Sequence, residues 1–267
     1  MPEFALDPDR PSQKRAFRYF QEKVPYKTSR TVTIILQYKE RSARILDIGS
    51  GSGQVLSRIR ETFPDIWGLE VSRQHVCEAN RRLECGSRPR VMVGSAEEMP
   101  FKAGSFDAVV SNTMIEHIER PEKMLAEARR VLRDDGILFL TTANKYWPIE
   151  PHYFLPFLSY LPSWIANAYV RLFRVAERYD DIHLPTYRGL MRLLQKDFIP
   201  EDKTLDVIEN YRRYGFHSKR LFKVSILSKI LNLARKNALL YGVARRAILY
   251  SSLGWIIVGK KRGAGRR

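Results

Sequence analysis

Leu46-Asp47-Ile48-Gly49-Ser50-Gly51-Ser52-Gly53 is the stretch that decides the fold of this chain. It extends the apolar run Ile45-Leu46, which reads as a buried strand, and it precedes Gln54-Val55-Leu56-Ser57-Arg58-Ile59, which reads as a helix. Three glycines at alternate positions let the backbone turn sharply and let a ligand lie directly on it. Asp47 sits at the strand end, and a second acid, Glu70, closes the next strand in Trp67-Gly68-Leu69-Glu70. Two such acids suit the polar groups of a nucleoside-containing cofactor. The dinucleotide register Gly-x-Gly-x-x-Gly fails, because its third glycine position holds Gln54. No Gly-Lys-Ser/Thr follows, so the turn is not a phosphate loop for ATP or GTP.

Outward from this turn, strands and helices alternate. Ile45–Ile48, Trp67–Val71, Arg90–Val93, Phe106–Ser111 and Ile137–Thr142 read as strands. Between them Gln54–Phe63, a helix capped by Ser72, and a helix opened by Pro121 each show one apolar face. Asp134-Asp135-Gly136 reads as the end of that last helix. This rhythm predicts an α/β fold: a Rossmann-like, seven-stranded, mostly parallel sheet with helices on both faces. Residues 9–40 read as one or two helices in front of the sheet. After Asn144 the rhythm breaks into an aromatic and proline-rich stretch, Tyr146 to Phe157, and an apolar helix over Leu158–Phe173. Thr186–Lys196 reads as a helix, Lys203–Ile208 as strand six, Leu221–Tyr250 as one basic helix and Gly254–Val258 as the last strand. The expected organisation is one domain over 1–267, with an N-terminal helical segment at 1–43, cap insertions at 145–185 and 209–252, and a basic tail at 260–267.

The bulk numbers restrict the setting. A hydrophobic fraction of 44% over 267 residues allows a sizeable core. Cys77 and Cys85 form neither a CxxC pair nor a zinc pattern and read as reduced thiols. The N-terminal stretch lacks the apolar core of a signal peptide, and no run of about 20 apolar residues occurs. A cytoplasmic protein is expected, peripheral on the inner face of the membrane. The net charge is +17, and from Asn210 to Arg267 there is no acid against 15 Lys and Arg. Such a segment seeks polyanions: a nucleic acid or an anionic membrane surface.

Four blocks occur in order: Leu46 to Gly53; Gly68-Leu69-Glu70-Val71-Ser72; Gly94-Ser95-Ala96-Glu97-Glu98-Met99-Pro100-Phe101 with Ser105-Phe106-Asp107-Ala108-Val109; and Ile115-Glu116-His117-Ile118 followed by Arg130-Val131-Leu132-Arg133-Asp134-Asp135-Gly136. In these blocks the chain resembles the ubiquinone-biosynthesis-type (methyltransferase type 11) branch of the class I S-adenosylmethionine (SAM) methyltransferases. The resemblance implies SAM as cofactor. It implies that Asp47, Gly49, Gly51 and Gly53 approach the methionine part, and that Glu70, with Val71 beside it, takes the ribose hydroxyls. It further implies that Ser95, Ala96 and Glu97 border the adenine and that Asn112 lines the sulfonium region. Ser95 stands where the family usually has Asp, which weakens that contact.

Some members of the branch carry Glu-x-x-Glu-His and bind a divalent metal. Here the corresponding stretch is Thr113-Met114-Ile115-Glu116-His117, so one carboxylate is missing and no metal is expected. His117 and His152 are the candidate general bases, since an unperturbed imidazole titrates near neutral pH. Tyr153 and His183 lie in the same predicted cap. The acceptor expected is a lipid-linked or amphipathic small molecule (a quinone precursor, a lipid or a lipid-linked glycan) methylated on oxygen at a membrane surface. RNA methylation and a non-catalytic SAM-binding scaffold are the alternatives, because one fold serves many acceptors.

Overall fold

The computed structural model describes residues 14–84, 90–215 and 221–262. Cys85 and most of the tail, 263–267, lie outside them, as do Lys219 and Arg220 of the basic segment. Seven strands form one sheet: β1 (Ile45–Ile48), β2 (Ile66–Glu70), β3 (Val91–Val93), β4 (Phe106–Asn112), β5 (Leu132–Ala143), β6 (Phe198–Asp202) and β7 (Gly254–Lys261). Their spatial order is β3-β2-β1-β4-β5-β7-β6. β1 pairs in parallel with β2 and β4, while β7 runs antiparallel between β5 and β6. The order therefore reverses between β1 and β4. In open sheets of this kind the crevice beyond the strands' carboxyl ends at that reversal is where ligands bind.

The helices are α1 (Lys14–Ile35), α2 (Gln54–Arg60), α3 (Arg73–Arg82), α4 (Pro121–Val131), α5 (Ser163–Leu172), α6 (Tyr187–Leu194), α7 (Thr204–Glu209), α8 (Leu221–Ala234) and α9 (Ala238–Ser251). Local chemistry sets their ends. The Ser72 hydroxyl accepts the His75 N–H at the start of α3, and Thr186 does the same for Gly189 at α6. Pro121 opens α4 and lacks a donor where none is needed. Met124, Leu125, Ala128 and Val131 then recur at helical spacing and are buried against one face of the sheet. Leu56 and Ile59 of α2 fill the opposite core with Ile34 and Ile35 of α1.

Four expectations need correction. Leu158–Phe173 is not one helix: Leu158–Tyr160 is a short 3₁₀ turn, and α5 starts at Ser163 after Pro162. Lys203–Ile208 is not a strand. Antiparallel pairing with β7 uses Phe198–Asp202 instead, and the Asp202 carboxylate accepts the Thr204 N–H at 2.7 Å, where α7 begins. Asp134-Asp135-Gly136 does not end a helix. β5 already starts at Leu132, and exposed Asp134 and Asp135 with buried Gly136 continue it across a register irregularity opposite Phe106 and Ala108. Leu221–Tyr250 is two helices, because extended Asn237 turns its side chain onto the N–H groups of Leu239 and Leu240 and starts α9 anew.

Segments 145–185 and 209–252, expected as insertions, follow the carboxyl end of β5 and precede the start of β7, respectively. Asn144 follows β5, and its amide donates to the carbonyls of Tyr250 and Ser252, which lead from α9 into β7.

Candidate functional site: a cofactor crevice and a buried histidine cluster

The turn after β1 has three left-handed glycines: φ is +69° at Gly49, +51° at Gly51 and +76° at Gly53. They serve different needs. A Cβ on Gly49 would lie 2.5 Å from Met114 Cγ, and one on Gly53 2.9 Å from Ala79 Cβ. A Cβ on Gly51 would meet nothing within 4 Å. The outer two glycines let protein pack on protein, and the middle one faces open space at the crevice.

Glu70 is fixed beside that space. One carboxylate oxygen accepts the Gly51 N–H at 2.9 Å and the other the Ser72 N–H at 3.1 Å. Each oxygen keeps a lone pair for a further donor, which is what a vicinal diol offers. Asp47 is buried below, and its pKa is pushed up to about 7 by burial, with the Glu70 charge adding to the rise and Lys27 opposing it. The buried Ser50 hydroxyl has no hydrogen-bond partner in the described residues.

The other residues expected at the cofactor lie in different surroundings. Val71 is exposed at the end of β2, and Ala96 is buried in the core. The Ser95 hydroxyl accepts the Glu97 N–H at 3.1 Å. The Glu97 carboxylate is taken by Arg120, from its N–H at 3.1 Å and its Nε at 2.6 Å. It thereby braces the start of α4. Asn112, ending β4, bridges Thr31 of α1 and Thr141 of β5 through contacts of 3.4 Å.

Beyond Asn112 lies the second half of the site. Thr113 takes a left-handed φ of +53°, unusual for a β-branched residue, and leads into the short 3₁₀ turn Ile115–His117. Glu116 is wholly buried. One of its oxygens accepts the Thr142 hydroxyl at 3.0 Å, and the other, Oε1, has no hydrogen-bond partner among the described residues. Burial pushes its pKa up.

His152 arrives from the first insertion, its ring edge-to-face with His117 at 5.0 Å. Its Nδ1 lies 2.6 Å from Glu150 Oε1, while Glu150 Oε2 accepts the N–H groups of His152 and Tyr153, both at 2.7 Å. One buried carboxylate thus shapes the loop and orients the imidazole. The His183 N–H donates to the Glu116 carbonyl at 2.7 Å, which joins the cluster to a cavity of about 640 Å³ within the first insertion. Lys145, Ser159, Tyr179 and His183 are among the residues that line it.

The structure therefore brings together Glu116, His117 and His152, whose donor atoms lie within 4.8 Å of one another. It also alters the reading of His117. Burial and the neighbouring His152 hold its pKa down to about 3, so the near-neutral titration expected of it is lost. Sequence reasoning missed Glu150, Thr142 and Lys27. The one signal available was Glu150 two residues before His152, and no local pattern marks that pair.

Residues 46–140 match the model of the family described as "Methyltransferase domain". Over 110 residues the chain is 32% identical to the malonyl-[acyl-carrier protein] O-methyltransferase of Geobacter sulfurreducens, covering 40% of this chain and 41% of that protein. Over 162 residues it is 29% identical to the chloroplastic 2-methyl-6-phytyl-1,4-hydroquinone methyltransferase 2 of Oryza sativa, covering 57% of this chain and 44% of that protein. The chain thus spans less than half the length of these two relatives. Among solved structures, geranyl diphosphate methyltransferase in complex with SAM superimposes with a TM-score of 0.53 at 15% identity, covering 96% of this chain and 93% of that one, a likeness of fold. The order of the strands, the glycine turn and the matched segment point the same way: over residues 46–140 the chain is similar to the methyltransferase-domain family, and its sheet shares the fold of solved SAM-dependent methyltransferases.

Proposed function

We propose that this protein methylates an oxygen of a lipid-linked or amphipathic acceptor while resting on an anionic membrane surface. The crevice fits SAM: open space at Gly51, a carboxylate held ready at Glu70, and the buried hydroxyl of Ser50, without a hydrogen-bond partner among the described residues. Gly49, Gly51, Gly53, Asp47 and Glu70 would hold it, with Val71, Ser95, Ala96, Glu97 and Asn112 along the border. Bound there, SAM supplies an already activated methyl group, so the protein's main task is alignment.

His152 is the group that takes the acceptor's proton, at Nε2. Glu150 at Nδ1 fixes the tautomer and stabilises the imidazolium that forms. His117, kept neutral by burial, is a wall of the acceptor pocket.

The observation that carries the membrane reading is the outer surface of the insertions. Trp164 and Leu172 on α5 are 74% and 76% exposed, and Leu239, Leu240 and Val243 on α9 are 76%, 59% and 59% exposed. An amphipathic helix packed on a core hides its apolar side. Here Leu231, Ile248 and Leu249 already do so, and further large apolar residues remain outside. Exposed Lys229, Lys236, Arg245 and Arg246 lie beside them. Each cation near an anionic surface contributes about 1 kcal/mol. Among the described residues no helix is long and apolar enough to cross a membrane. That leaves interfacial binding as the mode this surface supports.

Two coupled measurements test the reading. The protein should float with phosphatidylglycerol vesicles and not with phosphatidylcholine vesicles, and replacing those four cations by Gln should abolish flotation. Radiolabel from SAM should then enter the lipid fraction of a cell extract. Label in RNA, with binding that falls steeply as salt rises, would replace this proposal with a nucleic-acid substrate.

A further inference from the structure

We propose that Lys27 is the resident cation of the acceptor site, in the role that a divalent ion held by Glu116, His117 and His152 would otherwise take. The inference rests on the methyl-transfer reading above and assigns the site's electrostatics. Counting donors does not decide the question. Two imidazoles and a carboxylate with their donor atoms within 4.8 Å form an adequate ligand set for a divalent ion, even with Thr113 in place of the first carboxylate. What decides it is the charge already present.

Lys27 projects from α1, and its Nζ donates to Thr113 Oγ1 at 2.9 Å. The ammonium thus hydrogen-bonds the very residue that replaces the missing ligand. Thr113 is fixed. Its N–H donates to the Thr141 carbonyl at 2.9 Å and to the Thr141 hydroxyl at 3.1 Å, and its hydroxyl reaches the Asn112 carbonyl at 2.7 Å. α1 is fixed as well. Thr31, Ile34 and Ile35 are wholly buried, and the Asn112 amide approaches Thr31. Asp47, Glu116 and His117 all feel the Lys27 charge. A divalent ion entering among Glu116, His117 and His152 would have to overcome the repulsion of that ammonium, held on Thr113 three residues before Glu116, in a largely buried site where repulsion is weakly screened.

The same charge has a use in the reaction. The acceptor's O–H bond breaks and its proton goes to His152 Nε2. The oxygen lone pair forms the new bond to the methyl carbon, and the electron pair of the breaking carbon–sulfur bond stays on sulfur. Lys27 steadies the negative charge that develops on the acceptor oxygen, the task a metal performs elsewhere.

Cobalt(II) titration of the full chain, followed by visible d–d absorption, tests this directly. It needs no acceptor, SAM or vesicle, so its outcome is independent of the membrane reading. Wild type should show no bound-Co²⁺ spectrum at equimolar metal. Lys27→Met should bind Co²⁺ at least 100-fold more tightly than wild type, and Lys27→Met/His152→Ala should lose that gain. Lys27→Gln, which keeps a donor for Thr113 but no charge, should behave like Lys27→Met and serves if the latter does not fold. Wild type that takes up one Co²⁺ as tightly as these variants, with uptake lost in His152→Ala, would overturn the proposal. So would folded Lys27→Met and Lys27→Gln chains that gain no affinity.

Discussion

Strand β1 buries every side chain it carries, whereas α5 and α9 hold Trp164, Leu172, Leu239, Leu240 and Val243 out in solvent. Both regions are rich in apolar residues, so composition does not separate them. Layering does. The first strands have a helix layer on each face, and their apolar side chains are enclosed by it. Segments 145–185 and 209–252 leave the large apolar side chains named above outside any such enclosure. The cofactor half is therefore a finished interior with a polar crevice cut into it. α5 and α9, by contrast, keep large apolar side chains bare on their outer side. Substitutions in the two regions should fail in different ways.

The largest expected effect on folding lies in the finished interior. The Asp47 carboxyl has a folded pKa raised to about 7, above its ordinary value, through burial and the nearby Glu70. An acid shifted this way contributes stability that is fully present below the ordinary carboxylate range and is lost as pH rises through the folded value. Asp47→Asn imitates the neutral form. Without cofactor it should match wild type at pH 4 and exceed it at pH 8 by about 2–4 kcal/mol in urea unfolding. Affinity for SAM should fall in the same variant. Equal stability of the two proteins at pH 8 would mean that burial does not hold the Asp47 carboxyl in its neutral form.

Next in size is Glu70→Ala. Removal of a charged acceptor from two hydroxyl donors costs about 1.5–3 kcal/mol, so SAM should bind roughly 10- to 100-fold more weakly by calorimetry. Flotation with phosphatidylglycerol vesicles should be unchanged, because no part of the insertions touches this residue's role. Joint loss of both would show that the two regions are coupled rather than separate.

The contrast also explains what could be read from the sequence. The glycine turn, Asp47 and Glu70 are local: each is set by a strand end and the residues next to it, and period and spacing locate them. The parallel core follows from the same alternation. The acceptor end is built from distant pieces. Lys27 and Thr113 are 86 positions apart, and His152 meets the His117 ring from the far side of β5 in sequence. No periodicity announces such contacts. The misread strand at Lys203–Ile208 has a similar cause, since pairing with β7 chose Phe198–Asp202 over a run with equal local claim. The break at Asn237 was legible in principle. A capping residue before an apolar run is a helix start, but the continuous apolar text on both sides masked it.

The smallest effect on folding, and the sharpest separation of the regions, is expected from Leu239, Leu240 and Val243 on α9. All three are more than half exposed, so exchange for Ser removes little buried surface and should change stability by less than about 0.5 kcal/mol at each site. A bilayer would bury what the fold leaves bare. Full burial of a leucine or valine side chain gains about 1.5–3 kcal/mol, so the triple variant should lose at least roughly 100-fold in partitioning to phosphatidylglycerol vesicles. Thermal unfolding and SAM calorimetry of the same protein should overlay wild type. A clear fall in melting temperature would mean that these side chains already pack on protein, and the surface would then be an ordinary part of the core. Unchanged stability with unchanged vesicle binding would leave the exposed apolar face in place but remove the membrane as its cover.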